Sequence, residues 1–210
     1  MSTAGILVLA GVDGAGKTSI AGTVLNSRGG VYYNPDVAAR RFIDQGLSVD
    51  EANSRAWHRG LSDLDRAMRD RRNYAFETTL GGRTITQRLI QASKMGNRIR
   101  VWYVGLSSPN LHIARVGSRV AHGGMNVEDA KIRERWNTSR ENLVRLLPHI
   151  DELTLFDNSV GSAMTAAHPP TPFHILHVLR GSIPYLAPPE QIPNWCKPIV
   201  AAALRVTRGA

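Results

Sequence analysis

The feature that most constrains the fold of this 210-residue chain is a glycine-rich stretch near its N-terminus, GVDGAGKT at residues 11–18. It matches the pattern G-x-x-x-x-G-K-[ST] of a phosphate-binding loop, or P-loop. Residues 5–10 before it form a short apolar run typical of a buried strand, and residues 18–25 after it have the pattern of a helix. A strand, a glycine loop and a helix in this order point successive backbone N–H groups at a chain of phosphates. The sequence therefore predicts a nucleoside-triphosphate site.

The positions of the loop have separate predicted roles. Its glycines permit tight turns and a close approach of the backbone to a ligand. We expect Lys17 to reach the β- and γ-phosphates of ATP, and Thr18 to hold Mg²⁺ through its hydroxyl. The ATP-binding residues predicted in this stretch are Gly11, Asp13, Gly14, Ala15, Gly16, Lys17, Thr18 and Ser19.

Composition places the chain among ordinary globular proteins. It is 42% hydrophobic and 20% charged, and it has a single cysteine, Cys196, which excludes an internal disulfide. The formal net charge is +9, nearly all of the positive charge being arginine. Because no basic run is interleaved with aromatic residues, we expect no nucleic-acid partner. With neither a signal-peptide pattern nor an apolar run of membrane-spanning length, we expect a cytoplasmic protein that does not bind membranes.

Strand and helix patterns alternate along the chain, which predicts an α/β fold with a mostly parallel, five-stranded sheet flanked by helices. The predicted strands are residues 5–10, 31–33, 73–76, 98–106 and 152–157. We expect residues 1–160 to form a P-loop domain of the nucleoside-triphosphate hydrolase fold. Residues 161–210 then form a short C-terminal extension, a hairpin and a helix packed on the same domain.

Two carboxylates follow predicted strands. Asp36 comes after the second strand, where it could also be the N-cap of a helix over residues 37–42. Glu77 follows the third strand and opens a polar, glycine-bearing turn, with Arg83 available as an ion-pair partner. Because ligands of open α/β sheets bind outside the C-terminal ends of the strands, this turn is a candidate binding site.

The class of P-loop protein depends on residues beyond the loop. A GTPase would need an N/T-K-x-D base-recognition motif, which this sequence lacks. The fourth predicted strand ends in serines rather than in the Asp-Glu pair that an ABC-type ATPase requires. A small-molecule or nucleotide kinase fits better, because residues 115–135 have the pattern of a lid that closes over ATP. Its arginines flank a Gly-Gly hinge and are Arg115, Arg119, Arg133 and Arg135.

Three of these features together resemble the zeta toxin family of P-loop kinases. They are NPD at residues 34–36, FETTLGG at 76–82, and the lid pattern R-x₃-R-x₃-G-G at 115–124 followed by R-x-R at 133–135. The resemblance covers about residues 4 to 159, and IPNW at 192–195 is similar to the tail of shorter members. It implies ATP- and Mg²⁺-dependent phosphorylation of a sugar hydroxyl, for characterised members that of a UDP-N-acetyl amino sugar, and it implies an antitoxin protein as partner.

The resemblance also implies roles for individual side chains. The catalytic residues would be Lys17, Asp36, Arg119 and Arg135, with Arg115 adding a contact to ATP. The acceptor-binding residues would be Asp36, Glu77, Thr78, Thr79 and Arg83. Departures from the family pattern at Val37 and Met125 leave two alternatives open. One is a nucleoside, nucleotide or antibiotic kinase, and the other is an ATP-binding regulatory module without fast transfer.

Overall fold

A computed structural model of the chain describes residues 5–18, 20, 32–159 and 172–208. Of residue 208 it describes the backbone alone. The strands form one six-stranded sheet in the order β2-β1-β3-β4-β5-β6. Strands β1 to β4 are mutually parallel, whereas β5 and β6 are antiparallel additions at one edge. The strands are β1 (Gly5–Ala10), β2 (Tyr74–Thr78), β3 (Arg98–Gly105), β4 (Glu152–Asp157), β5 (Phe173–Leu179) and β6 (Ser182–Leu186).

Six helices accompany the sheet in the described part of the chain. Short 3₁₀ turns at residues 147–149, 189–191 and 194–196 connect some of them to the strands. In the described residues, none of the helices combines the length and the apolar character needed to cross a membrane. The helices are α1 (Pro35–Asp44), α2 (Val49–Asp70), α3 (Arg83–Lys94), α4 (Pro109–Ala121), α5 (Asp129–Leu146) and α6 (Lys197–Arg208).

The predicted α/β fold with a mostly parallel sheet is confirmed, although the strand count differs. Of the strand expected at residues 31–33, Val31 lies outside the described residues and Tyr33 forms a single parallel bridge to Phe76. The pairing stops there because Asn34 and Pro35 begin α1. At the other edge, β5 pairs with β4, so the hairpin of β5 and β6 extends the sheet itself.

The core explains why the P-loop has a fixed position. Every residue of β1 is buried, as is typical of a central parallel strand covered on both faces. Large apolar side chains from α2, α3, α5 and α6 pack against the sheet, among them Leu64, Leu89, Leu143 and Ile199. The strand that leads into the P-loop is therefore packed into this core through Ile6, Val8 and Ala10.

Candidate active site

The P-loop follows directly after strand β1, as the sequence predicts. Gly11 and Gly16 adopt positive φ angles of 143° and 90°, in the region that favours glycine. A Cβ atom on Gly11 would lie 2.2 Å from the carbonyl oxygen of Val104, and one on Gly16 would lie 2.5 Å from Nδ2 of Asn158. No larger residue fits at either position. The chain is helical at Lys17 and Thr18, directly after the loop. Of the helix predicted at residues 18–25, residues 19 and 21–25 lie outside the described residues.

The two side chains at the end of the loop contact different partners, one in the loop and one in the neighbouring strand β2. Lys17 is half-buried, and its Nζ donates a hydrogen bond to the carbonyl oxygen of Val12 at 3.4 Å. The hydroxyl of Thr18 lies 3.4 Å from Oε2 of Glu77. Ser19, the last predicted ATP-binding residue, lies outside the described residues.

Glu77 is the only predicted acceptor-binding carboxylate that is buried, with 7% of its surface exposed. It stands opposite Leu9 of β1, close to where β1 enters the P-loop. Its Oε2 accepts hydrogen bonds from Thr18 and from Nδ2 of Asn34, while its buried Oε1 has no partner among the described residues. Burial raises the pKa of this carboxyl, with the charge of Lys17 opposing the change. Glu77 therefore does not pair with Arg83, which is exposed at the start of α3.

Asp36 is not the N-cap of a helix, so that alternative is wrong. The cap of α1 is Asn34, whose side-chain oxygen accepts from the backbone N–H groups of Asp36 and Val37 at 2.9 and 3.2 Å. Pro35 occupies the first turn, where its missing N–H is not needed. The carboxylate of Asp36 is left exposed at the cleft, 3.7 Å from a guanidinium nitrogen of Arg119.

The turn after β2 is held in place by helix α5. Thr78 and Thr79 accept hydrogen bonds from the N–H groups of residues 80 and 81, and Leu80 has a φ of 53°, rare for a non-glycine residue. Ser139 donates to the carbonyl of Thr79 at 2.6 Å, and Asn142 donates to that of Leu80 at 2.9 Å. Sequence reasoning missed these two supports, because their only signal is a polar residue on the buried face of a helix.

The side chains of the predicted lid arginines contact different parts of the structure. Arg115 donates to the carbonyl of Asn158, whose side chain in turn donates to the P-loop carbonyl of Ala15. Arg119 contacts Asp36 and donates to the carbonyl of Met125 at 2.8 Å. Arg133, in contrast, is exposed and does not line the cleft.

Arg135 is bound to the P-loop itself. Its Nη1 donates to Oδ2 of Asp13 at 2.8 Å, across 122 positions of sequence. His112, unlike Arg135, is not among the residues predicted from the sequence. Its ring contacts the backbone carbonyl of Asp13 at 2.7 Å through Nδ1. Asp13 and His112 are both buried, so the apex of the loop is fixed by two helices.

Several of these residues line one cleft of about 630 Å³. It opens between the P-loop, the turn after β2, the helices α1 and α2, and the loop between α4 and α5. Aromatic walls come from Tyr33, Trp57 and Phe76. The predicted site residues that line the cleft are Asp13, Asp36, Glu77, Thr78, Thr79, Arg119 and Arg135.

The oxygen atoms at the mouth of the P-loop fit Mg²⁺. Magnesium prefers oxygen ligands and keeps several of its waters, so one hydroxyl and one carboxylate are a sufficient protein contribution. The hydroxyl of Thr18 and the carboxylate of Glu77 are adjacent, and Oε1 of Glu77 is buried without a partner in the described structure. These two side chains would hold the ion.

No protein-family model and no curated protein matches the chain. Solved structures do share its fold. A chain of the AvrRxo1-ORF1:AvrRxo1-ORF2 complex with sulphate ions superimposes with a TM-score of 0.66 at 15% identity, covering 89% of this chain and 61% of that one. In the same complex with ATP the TM-score is 0.65 at 14% identity, covering 95% and 63%. This chain thus spans about three fifths of these two structures' chains.

A third structure comes from the PezAT chromosomal toxin–antitoxin system of Streptococcus pneumoniae. It superimposes with a TM-score of 0.51 at 14% identity, covering 73% of this chain and 67% of that one. Identities this low establish similarity of fold and nothing finer. The resemblance to zeta-toxin-like P-loop kinases is therefore confirmed at the level of the fold.

Proposed function

We propose that this chain is an ATP-dependent kinase that transfers the γ-phosphate of ATP to a hydroxyl group of a small molecule. The observation that carries the proposal is the shared cleft, in which the P-loop apex, an exposed carboxylate and two arginines meet. The likeness to a complex solved with ATP supports the choice of nucleotide. Phosphoryl transfer depends mainly on positioning and charge neutralisation, and this cleft offers both.

In the proposed reaction, the oxygen of the acceptor hydroxyl bonds to the γ-phosphorus as the bond from that phosphorus to the β–γ bridging oxygen breaks. Asp36 accepts the hydroxyl proton, a role that suits an exposed carboxylate at the cleft. Lys17, Arg119 and Arg135 balance the negative charge on the phosphates. Thr18 and Glu77 would hold Mg²⁺, which would supply further neutralisation of that charge.

The acceptor we propose is a sugar-nucleotide-like molecule, such as a UDP-N-acetyl amino sugar. A cleft of about 630 Å³ has room for a molecule of that size, and polar groups from the turn after β2 line it beside aromatic walls. Glu77, Thr78 and Thr79 would bind the acceptor near Asp36. Arg83 is a weaker part of the proposal because it is exposed and outside the cleft.

An antitoxin protein is the proposed macromolecular partner. The likeness to the PezAT toxin–antitoxin system supports this partner. We place the reaction in the cytoplasm, where ATP is available.

One assay tests the activity and its acceptor. The protein is incubated with Mg-ATP and a panel of UDP-sugars, nucleosides, nucleotides and aminoglycosides, and products are read by mass spectrometry for the added mass of a phosphoryl group. Phosphorylation of a UDP-sugar that is lost in Lys17→Ala supports the proposal. Transfer only to a nucleoside, nucleotide or aminoglycoside would favour the alternative kinases. ATP binding with no transfer to any acceptor would favour a regulatory module.

A further inference from the structure

The apex of the P-loop carries a buried carboxylate that the proposed reaction does not use. Asp13 has 8% of its surface exposed, and its only charged partner within hydrogen-bond distance in the described structure is Arg135. A buried charge is retained only when it is paired and hydrogen-bonded. The position of this pair, inside the loop that would cradle phosphates, calls for an explanation beyond stability.

Asp13 is itself fixed from its backbone side. Nδ1 of His112 lies 2.7 Å from the carbonyl oxygen of Asp13, and since a carbonyl can only accept, Nδ1 carries the hydrogen. His112 is buried, and burial lowers its pKa to about 4, so the ring is neutral at pH 7. The next residue, Gly14, packs on the same helix, where a Cβ atom would lie 2.8 Å from the His112 carbonyl oxygen.

Arg135 is held along its length. Its Cγ would lie 2.8 Å from a Cβ atom on Gly81, so the stem of the side chain runs over the turn after β2. Only Nη1 is engaged with Asp13 in the described structure. The guanidinium has five donors in a rigid fork, so the remaining N–H groups can bind a phosphate while Asp13 keeps its contact.

We propose that Asp13 is a positioning residue, which holds the guanidinium of Arg135 beside the P-loop so that its free N–H groups contact the γ-phosphate of ATP. The inference rests on the proposed function, because it requires ATP in the loop. The carboxylate of Asp13 is ionised around neutral pH. Burial raises its pKa, but the charges of Lys17 and Arg135 lower it by more, so the net change is a lower pKa. An ionised Asp13 also repels phosphate, and this repulsion makes the inference testable.

The test compares the affinity for Mg-AMP-PNP, which has a γ-phosphate, with that for Mg-ADP, which does not, by isothermal titration calorimetry. In wild type we expect AMP-PNP to bind more tightly than ADP. In Asp13→Asn we expect that preference to fall by about 10- to 100-fold, the size of a lost charge-assisted hydrogen bond. Arg135→Ala should lower the preference at least as much, because it also leaves the charge of Asp13 unopposed, and the double variant should lose no more than Arg135→Ala alone.

A purely structural or charge-neutralising Asp13 predicts the opposite result. Removing its negative charge would then leave the AMP-PNP preference unchanged or strengthen it, and either outcome overturns the inference. Asp65→Asn is the matched control, because it removes an ion pair with Arg88, 3.1 Å long, away from the P-loop. It should keep the wild-type preference.

Two further measurements keep the test decisive. If Asp13→Asn does not fold, Arg135→Lys replaces it, since lysine keeps the charge but cannot bridge carboxylate and phosphate with a rigid fork. A wild-type preference in Arg135→Lys overturns the inference. Lys17→Ala separates it from the proposed function. Nucleotide binding that does not depend on Lys17 would contradict both the proposed function and this inference. Lys17-dependent binding with an intact AMP-PNP preference in Asp13→Asn would contradict this inference alone.

Discussion

A guanidinium nitrogen of Arg119 lies 3.7 Å from the carboxylate of Asp36, so a predicted catalytic arginine of the lid contacts the predicted base for the acceptor hydroxyl. The two side chains are 36% and 57% exposed, and pairs this exposed contribute about 0–1 kcal/mol. A phosphate group can therefore compete for the arginine. Binding of ATP would draw Arg119 away and leave Asp36 available to the acceptor hydroxyl.

Asp36→Asn tests the proposed base. The amide keeps the shape of the side chain but cannot accept the proton, so we expect kcat to fall by about 10²- to 10⁴-fold with ATP affinity nearly unchanged. The measurement is steady-state transfer to the acceptor found in the panel. Because Asn34 caps α1, the melting temperature should not change. A variant with full kcat would show that Asp36 takes no proton.

Lys17→Ala tests the P-loop. Lys17 is the charged side chain that ends the loop, and removing such a charge-stabilising group should lower transfer by roughly 10²-fold or more. Lys94→Ala, at the end of α3, is a control with the same change of charge outside the cleft. Equal turnover in wild type and Lys17→Ala would contradict the P-loop assignment.

Glu77→Gln tests the buried carboxylate at the end of β2. Glutamine can still accept from Thr18 and Asn34 but carries no charge, so we expect a higher KM for the acceptor. A parallel titration of Mg²⁺ in the presence of ADP, followed calorimetrically, reports on metal binding separately. A raised acceptor KM with normal Mg²⁺ dependence supports acceptor binding. A weakened Mg²⁺ dependence with an unchanged acceptor KM assigns the residue to the metal alone.

The lid prediction concerns residues 115–135. The loop between α4 and α5 is held to α1 by a hydrogen bond from Arg40 to the Gly123 carbonyl at 2.6 Å. It is held to α1 and α2 by packing of Met125 against the cluster of Ala39, Ala52 and Ala56. The hydrogen bond is exposed and Met125 is only half-buried, so local opening should be easy. We expect AMP-PNP to protect residues 119–135 from limited proteolysis.

Alanine variants of the lid arginines test their part in catalysis. Arg119→Ala and Arg135→Ala should lower kcat strongly, on the scale of about 10³- to 10⁵-fold for arginines that balance transition-state charge. Arg133→Ala is the control, because that side chain is exposed and outside the cleft. Wild-type turnover in the Arg119/Arg135 double variant, or identical cleavage with and without nucleotide, would argue against a lid.

His112 predicts a dependence of stability on pH. Its pKa is lowered to about 4 in the folded protein by burial, against about 6.5 when unfolded, so unfolding takes up a proton between these values. The stabilisation is complete above pH 6.5 and is lost as the pH falls towards 4, a change on the order of 3 kcal/mol. Urea unfolding from pH 7.5 to 4.5 measures it. The free energy of unfolding should vary less with pH in His112→Gln, and as in wild type in the exposed control His122→Gln.

Local features of the sequence determined the P-loop and the general fold. The glycines, Lys17 and Thr18 lie within eight residues, and the strand before them can be recognised from a short run of apolar residues. The approximate place of Glu77 also followed, because parallel strands present their C-terminal ends at one edge of the sheet. The capping of α1 was assigned to the wrong residue because Asn34 and Asp36 are both good caps in sequence, and only the backbone conformation at position 34 selects between them.

Only the tertiary structure decided which of these residues meet. Asp13 contacts Arg135 across 122 positions, and Thr18 contacts Glu77 across 59. The placement of Arg135 on the P-loop, of Arg119 on Asp36, and of Ser139 and Asn142 under the turn after β2 follows from how α4 and α5 pack on the sheet. Propensity and hydrophobic period act over a few neighbouring residues. The distance between side chains on different elements is set by strand order and helix packing, which the whole core determines together.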